Sequence, residues 1–119
     1  MSASASFVEH VRDLLSPIGA LTDGSFFGGH AFKYRQVQFA MIMGSTLYFR
    51  VNERTRKAYE LKGSKPFSYL TKKGVVQVRK YYAAPADLLE SQEQLLTWAR
   101  QAIDAEQAIT PSTPPSRSA

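Results

Sequence analysis

The chain contains no cysteine among its 119 residues. That absence excludes disulfide bonds, thiolate nucleophiles and sulfur ligands for a metal, and it is typical of proteins from a reducing compartment. Long apolar runs are absent too, since none reaches the ~18 residues of a membrane-spanning helix. Residues 1–6 have neither the basic start nor the apolar stretch of a secretory signal. We therefore expect a cytoplasmic protein that does not contact a membrane.

Acidic residues are scarce in the middle of the chain, whose net charge as a whole is +5. Residues 50–80 hold ten basic and two acidic residues, hence a net charge of +8, whereas residues 81–119 hold two basic and five acidic residues. Clustered lysine and arginine can bind a polyanion by releasing its counterions. Alternatively, the acidic last helix lies near the basic strands. The dispersal of the basic residues over several elements favours this compensation of charges within the chain over the binding of a polyanion.

The length allows one domain with a core, but not two domains. An apolar stripe at helical spacing, formed by Phe7, Val8, Val11, Leu14 and Leu15, predicts a first helix. Ser6 is its expected N-cap, with Glu9 completing a capping box, and Pro17 and Gly19 end it.

Alternation of period two begins near Leu21 and predicts a strand over 31–34 and two further strands over 37–43 and 46–51. Hairpin turns are expected at 35–36 and 44–45. The residues expected on one face of the second of these strands are Val37, Phe39, Met41 and Met43. The pattern indicates an antiparallel meander with one buried face.

The second half of the chain predicts a helix over 53–61, capped by Asn52 and followed by Gly63. A hairpin of strands 66–70 and 74–82 follows, then a turn of helix over 85–89. A last helix extends to about Ile109, with Ser91 and Gln94 as its capping box. One stripe of this helix is expected to contain Leu95, Ala99, Ala102, Ile103 and Glu106, with Trp98 on its flank.

The element order is α-β(3–4)-α-β(2)-α, which predicts a two-layer α+β domain. We expect a mainly antiparallel sheet of five to six strands with the helices packed on it. The domain spans residues 1–109. Residues 110–119 hold three prolines and several small polar residues, so we expect a disordered tail.

No group of residues specifies a reaction. His10 and His30 lack neighbouring metal ligands, Asp23 stands alone, and no serine occupies a nucleophile elbow. No carboxylate pair can be assigned for acid–base catalysis either. We therefore expect no enzyme, no cofactor and no metal. His30 is interpreted as a structural hydrogen-bonding group, and a role as ligand or base is the alternative.

Gly28 and Gly29 lie in an apolar, strand-like run, where glycine is normally unfavourable. A phosphate-binding loop is disfavoured, because the segment lacks the lysine and Ser/Thr of a Walker motif and the third glycine of a dinucleotide fingerprint. We predict a β-bulge or a sharp strand bend, where glycine supplies a positive φ or a close approach of two backbones.

Basic residues in the middle of the chain are interleaved with tyrosines, an arrangement that can bind single-stranded nucleic acid. The basic residues that can line one face are Arg50, Arg54, Arg56, Lys57, Lys72, Lys73, Arg79 and Lys80. Tyrosines are also common packing residues in strands, and no recognised nucleic-acid motif accompanies these residues. Direct nucleic-acid binding through 50–80 is therefore an alternative function.

Several segments, in their order and spacing, resemble the TfoX (Sxy) N-terminal domain over about residues 7–106. They are Phe27-Gly28-Gly29-His30-Ala31-Phe32, Phe39-Ala40, Leu47-Tyr48-Phe49-Arg50-Val51-Asn52, Pro66-Phe67-Ser68-Tyr69, Tyr81-Tyr82 with Pro85, and Leu95, Trp98, Ala99 and Ala102. The resemblance implies a bacterial, cytoplasmic α+β domain from regulators of natural competence. Those regulators are thought to act with the cyclic-AMP receptor protein at competence promoters.

The chain departs from the family in two places. Asp23-Gly24-Ser25 replaces residues that are usually basic, and Phe26 stands where methionine is usual. Full-length regulators also carry a second, helical domain, whereas this chain ends in a Pro/Ser tail, so we expect a stand-alone N-terminal domain. The family supplies no catalytic residues. We predict a non-enzymatic module that regulates transcription by contacting a protein, such as a transcription factor, through the exposed sheet face and the basic segment. The oligomeric state is left open.

Overall fold

A computed structural model describes residues 4–109 and the side chains up to residue 105. The elements are α1 (Ala5–Leu15), a 3₁₀ turn (Ser16–Ile18), β1 (Leu21–Phe26), β2 (Gly29–Tyr34), β3 (Val37–Met43), β4 (Thr46–Arg50), α2 (Glu53–Leu61), β5 (Pro66–Thr71), β6 (Gly74–Ala83), a second 3₁₀ turn (Ala86–Glu90) and α3 (Gln92–Ile109). The expected disordered tail, residues 110–119, lies outside the described residues.

The strands form one antiparallel sheet of six strands in the order β1-β2-β3-β4-β6-β5. The three α-helices pack against one face of the sheet. This is the predicted two-layer α+β fold, and β1 is the fourth strand that the sequence left open. Thr46–Arg50 and Gly74–Ala83 also agree with their predicted strands to within one residue.

The main core lies between the sheet and the helices. Val8, Val11 and Leu15 of α1 are buried there, as the helical stripe predicted. The predicted stripe of α3 is buried at Leu95, Ala99, Ala102 and Ile103, whereas the side chain of Glu106 lies outside the described residues. Trp98 packs at the edge of this core, edge-on to Tyr59 with ring centroids 4.5 Å apart.

The first helix begins two residues earlier than predicted. Its N-cap is Ser4, whose hydroxyl accepts a hydrogen bond from the Phe7 amide at 3.5 Å. Ser6 lies inside the helix, so the predicted capping box of Ser6 and Glu9 is wrong. The reason is local, because Ala5 is a strong helix former and lets the helix extend back to the preceding serine.

Phe39 does not share a face with Met41 and Met43, contrary to the prediction. The β2–β3 register shifts between Phe32 and Lys33, which pair with Ala40 and Gln38 respectively, so Phe39 is an extra residue in β3. This β-bulge turns Phe39 towards the helices together with Ala40. Met41 and Met43 remain on the opposite face, where they form a second buried cluster with Tyr81. The meander therefore buries residues on both faces instead of one.

The helix α2 is capped at both ends as predicted. The Asn52 side chain accepts hydrogen bonds from the amides of Arg54 and Thr55, both at 2.9 Å, and the Thr55 hydroxyl accepts one from the Asn52 amide at 3.0 Å. Gly63 follows the helix with φ at 80°. Since α2 is anchored by the buried ring of Tyr59, this cap fixes the position of the basic residues on its first turn.

Candidate functional site

Phe27 and Gly28 form the two-residue turn between β1 and β2. Of the two predicted alternatives, a β-bulge and a sharp strand bend, the segment is therefore a sharp bend, in the form of a hairpin turn. Their φ angles are 48° and 81°, as a type I′ turn requires. Gly29 opens β2, and a Cβ there would lie less than 3.0 Å from the Ile42 carbonyl oxygen and the Met43 sulfur. The sequence predicted a positive φ or a close backbone approach for these glycines; Gly28 has the positive φ and Gly29 has the close approach.

The turn projects Phe27 over an apolar groove on the sheet face that the helices leave uncovered. The groove has a volume of about 640 Å³. It is lined by Phe26, Phe27, Met41, Met43, Phe67, Tyr69, Leu70, Val78 and Tyr81. We call these residues the open-face groove.

The floor of the open-face groove is buried and its rim is exposed. Met41, Met43 and Tyr81 form the floor, where the Tyr81 hydroxyl accepts a hydrogen bond from Gln38 Nε2 at 3.1 Å. At the rim, Phe27 is 86% exposed and Leu70 is 80% exposed. Large apolar side chains at this exposure, lining one groove, are typical of an interaction surface.

Basic residues border the open-face groove. Lys33 follows Phe32 in β2, so its side chain lies on the other face of the sheet from the buried Phe32. Lys33 lines a cavity that adjoins the groove, and Phe26 lines both. The Arg50 guanidinium lies over the Tyr81 ring, 5.7 Å from its centroid. Lys72 and Lys73 form the turn that follows β5.

Four of the predicted basic residues meet at a second site, beside the start of α2. Arg54, Arg56, Arg79 and Lys80 line a shallow cavity of about 480 Å³, together with Val51, Asn52 and Glu53. We call this set the basic pocket. Arg56 is partly neutralised, because Glu60 lies 4.0 Å from it one helical turn further on.

The other predicted basic residues lie elsewhere, so the eight do not form one face. Lys72 is eight residues from Lys80 along an extended hairpin, roughly 20 Å or more at ~3.3 Å per strand residue. Lys57 is exposed on α2, and Arg50 lies on the open face of the sheet. Among the described residues, the acidic last helix α3 packs mainly on β3, β4 and α1, and its Trp98 contacts Tyr59 of α2. An ion pair between Lys62 and Asp87, at 4.0 Å, joins the basic segment to the acidic C-terminal part.

The sequence suggested that Asp23 stands alone. In the structure, its side chain instead joins α1 to β2. Its carboxylate accepts a hydrogen bond from Arg12 Nη2 at 2.7 Å and lies 2.5 Å from His30 Nε2. The hydrogen bond from Arg12 lowers the pKa of Asp23, and the contact with His30 adds to this effect. His30 therefore makes a side-chain hydrogen bond, which agrees with the structural interpretation and does not decide the alternative role as ligand or base.

The described residues hold no cluster of three or more His, Asp or Glu side chains that could bind a metal ion. Within residues 4–109, no helix is long and apolar enough to cross a membrane. Two surfaces in the described part of the chain are candidate sites, the apolar open-face groove and the basic pocket.

Sequence reasoning named the exposed sheet face but missed most residues of the groove. Phe67 and Tyr69 alternate along β5, and Val76 and Val78 alternate along β6, so a signal was present. It was not sufficient, because Met41 and Met43 join those residues only through the sheet order, which places β6 beside β4.

Comparison with protein families matches the TfoX N-terminal domain to residues 13–106. Comparison with curated proteins finds no match to this chain. The matched range contains all six strands, α2 and most of α3. Since the match covers most of the chain and its whole sheet, this protein belongs to the TfoX N-terminal domain family, which is associated with competence regulators.

Proposed function

We propose that this domain is a regulatory module that acts by binding a protein partner in the open-face groove. The observation that carries the proposal is the exposure of an apolar groove on the face of the sheet opposite the main core. Phe27 and Leu70 stand in solvent at its rim although the chain has a complete core without them. A soluble domain rarely exposes such a surface unless something covers it.

The family assignment supports a regulatory role for the contact. Members of the TfoX N-terminal domain family are associated with the regulation of competence. A module that binds a transcription factor or another component of the transcription machinery would connect the groove to that role.

Site-specific photo-crosslinking tests the proposal. A photoreactive phenylalanine analogue at position 27 is compared with the same analogue at position 61, because Phe27 and Leu61 are 86% and 89% exposed and only Phe27 lines the groove. We expect a discrete, protease-sensitive adduct in host cells from position 27 and none from position 61. A nuclease-sensitive adduct, or no adduct, would contradict the proposal.

The regulatory part has its own measurement. We expect Phe27→Asn with Leu70→Gln to change transcript levels in the host as deletion of the gene does, because both remove groove contacts. The control Leu61→Gln removes an equally exposed apolar side chain outside the groove and should leave transcript levels as in the wild type. If the double substitution left transcript levels unchanged, the groove would have no role in regulation, and this part of the proposal would be wrong.

Direct nucleic-acid binding is the second candidate function, and the basic pocket favours it. Arg54, Arg79 and Lys80 are exposed and line one cavity, where they could neutralise adjacent phosphates. The test is fluorescence anisotropy with single-stranded and duplex DNA at increasing salt. We expect binding that weakens steeply with salt and that is reduced by Arg54→Glu with Arg79→Glu. Lys72→Glu with Lys73→Glu, a matched change far from the pocket, should matter less. Equal effects of the two pairs, or binding insensitive to salt, would exclude the pocket as the interface.

A further inference from the structure

We infer that the open-face groove binds an acidic, amphipathic protein segment, whose apolar side chains enter the groove while its carboxylates meet the basic residues around it. The inference rests on the proposed function and adds the chemistry of the partner. Four observations carry it: the distribution of acidic residues, the basic border of the groove, the lining of the groove and its small polar content.

The acidic residues are segregated from this face. Of the ten acidic residues in the chain, nine lie on α-helices or 3₁₀ turns, which pack on the opposite face of the sheet. The tenth, Asp23, belongs to a strand, but its carboxylate binds Arg12 of α1 and His30. No residue that lines the groove is acidic. Among the residues that the structure describes, the margin of the groove therefore carries an excess of basic over acidic side chains.

The basic residues border the groove on different sides. Lys33 is exposed on β2, and Arg50 of β4 lies over the ring of Tyr81. Lys72 and Lys73 occupy the β5–β6 turn, close to Leu70 in the chain. Charges at the margin of an apolar surface steer an oppositely charged partner and set its orientation, whereas the apolar centre supplies most of the affinity.

The lining of the groove favours apolar side chains over nucleotides or polar ligands. Among the lining residues, only Tyr69 and Tyr81 carry a polar side-chain atom, and the Tyr81 hydroxyl already binds Gln38. A nucleic acid would need phosphate-binding groups along its path, and those lie in the separate basic pocket. A volume of about 640 Å³ can take several leucine-sized side chains from one face of an amphipathic segment.

A second copy of this chain is a poorer occupant. Two open faces brought together would place Lys33, Lys72 and Lys73 of both copies at one interface, and none of the described residues that line the groove is acidic. Like charges facing each other across an interface are unfavourable and act against that pairing. An acidic segment has the opposite sign and removes the repulsion.

The inference is tested with two synthetic peptides that share one apolar face. Both are amphipathic helices of about 20 residues with leucine at helical spacing, and they differ in carrying glutamate or lysine on the polar face. Binding to the full chain is measured by fluorescence anisotropy at low and at physiological salt. We expect the glutamate peptide to bind at least ~10-fold more tightly than the lysine peptide, with the difference shrinking as salt rises.

Substitutions locate the binding. Phe27→Asn with Leu70→Gln should weaken the binding of the glutamate peptide by ~10-fold or more, because Phe27 and Leu70 are the most exposed apolar residues of the groove. Asparagine tolerates the positive φ at position 27, so the turn should keep its fold. Leu61→Gln, on α2, is the matched apolar control and should not change binding.

The charge component has a matched pair as well. Lys72→Glu with Lys73→Glu should reduce the preference for the glutamate peptide, whereas Lys57→Glu, exposed on α2, should leave it unchanged. Equal binding of the two peptides would overturn the inference while leaving a protein partner at Phe27 intact. If the photoreactive analogue at position 27 formed no protein adduct in host cells, the proposed function would be overturned instead.

Other occupants give distinct results. An oligonucleotide that binds more tightly than the peptide, and is released by Phe27→Asn, would overturn the inference in favour of nucleic acid. Self-association in sedimentation that is abolished by Leu70→Gln would overturn it in favour of a second copy. Absence of peptide binding, with the position-27 adduct retained, would show that the partner has another chemistry.

Discussion

The two faces of the sheet come from the same strands but differ in what covers them. On the helix-covered face, Phe32, Phe49 and Leu95 are buried with no solvent exposure. On the open face, Met41 and Met43 are buried in the second cluster, while Phe27 and Leu70 at the rim of the groove remain in solvent. We therefore expect the covered face to contribute most of the stability, and the exposed apolar surface of the open face to contribute little.

The largest expected effect comes from breaking the covered face. Phe49→Ala should lower the free energy of unfolding by about 3–5 kcal/mol, because it removes a fully buried ring and leaves a cavity between β4 and the helices. Urea denaturation followed by circular dichroism measures the change. Phe67→Ala, half-buried on the open face, should cost clearly less. Equal losses would mean that both faces contribute alike to stability.

A smaller effect is expected where the hairpin turn meets β3. Gly29→Ala should destabilise the fold by about 1–3 kcal/mol, because the added Cβ would collide with the Ile42 carbonyl oxygen and the Met43 sulfur. Gly24→Ala is the control, since a Cβ there meets no atom within 4 Å and its φ is not positive. Comparable thermal midpoints for the two variants would contradict this assignment.

The link between α1 and the sheet gives a pH effect. Arg12 lowers the pKa of Asp23 below its ordinary value of 3.8, so the stabilisation is complete above that pH and is lost as pH falls through the lower folded-state pKa. Asp23→Asn should therefore reduce the loss of thermal midpoint between neutral pH and about pH 3. Asp104→Asn, on the exposed side of α3, is the control. The effect should be small, since the pair is partly exposed.

The smallest effect on stability is expected at the rim of the open face. Leu70→Gln should change the free energy of unfolding by no more than about 0.5 kcal/mol, because Leu70 has little buried area to lose. It should nevertheless reduce the fluorescence of a bound hydrophobic dye. A loss of stability similar to that of Phe49→Ala would show that Leu70 belongs to the core.

Most of the fold followed from local patterns. The type I′ turn at Arg35-Gln36, the Asn52 cap and the Gly63 terminus occur where the sequence placed them, because each depends on a few adjacent residues. The faces of β3 did not follow. The bulge at Phe39 shifts the alternation by one residue. Its cause is the pairing of β3 with β2, and the residue pattern of a single strand does not predict that pairing.

The candidate sites depended still more on long-range contacts. The sequence grouped eight basic residues by proximity, but strand length separates Lys72 from Lys80 and the sheet separates Arg50 from Lys57. Asp23 appeared alone because its partners Arg12 and His30 lie on other elements. Spacing along a chain predicts which side chains share an element, and it does not predict which elements become neighbours.

By itself, the sequence determined the element order, the two-layer α+β class, the family and the excess of positive charge in the middle of the chain. These features depend on periodicity, turn chemistry and composition, which are local properties. Only the tertiary structure decided that β6 lies beside β4 and that the helices share one face. That arrangement gathers Phe27, Met41, Leu70 and Tyr81 into a groove and leaves it uncovered, because apolar residues far apart in sequence become one surface only when the strands that carry them pair.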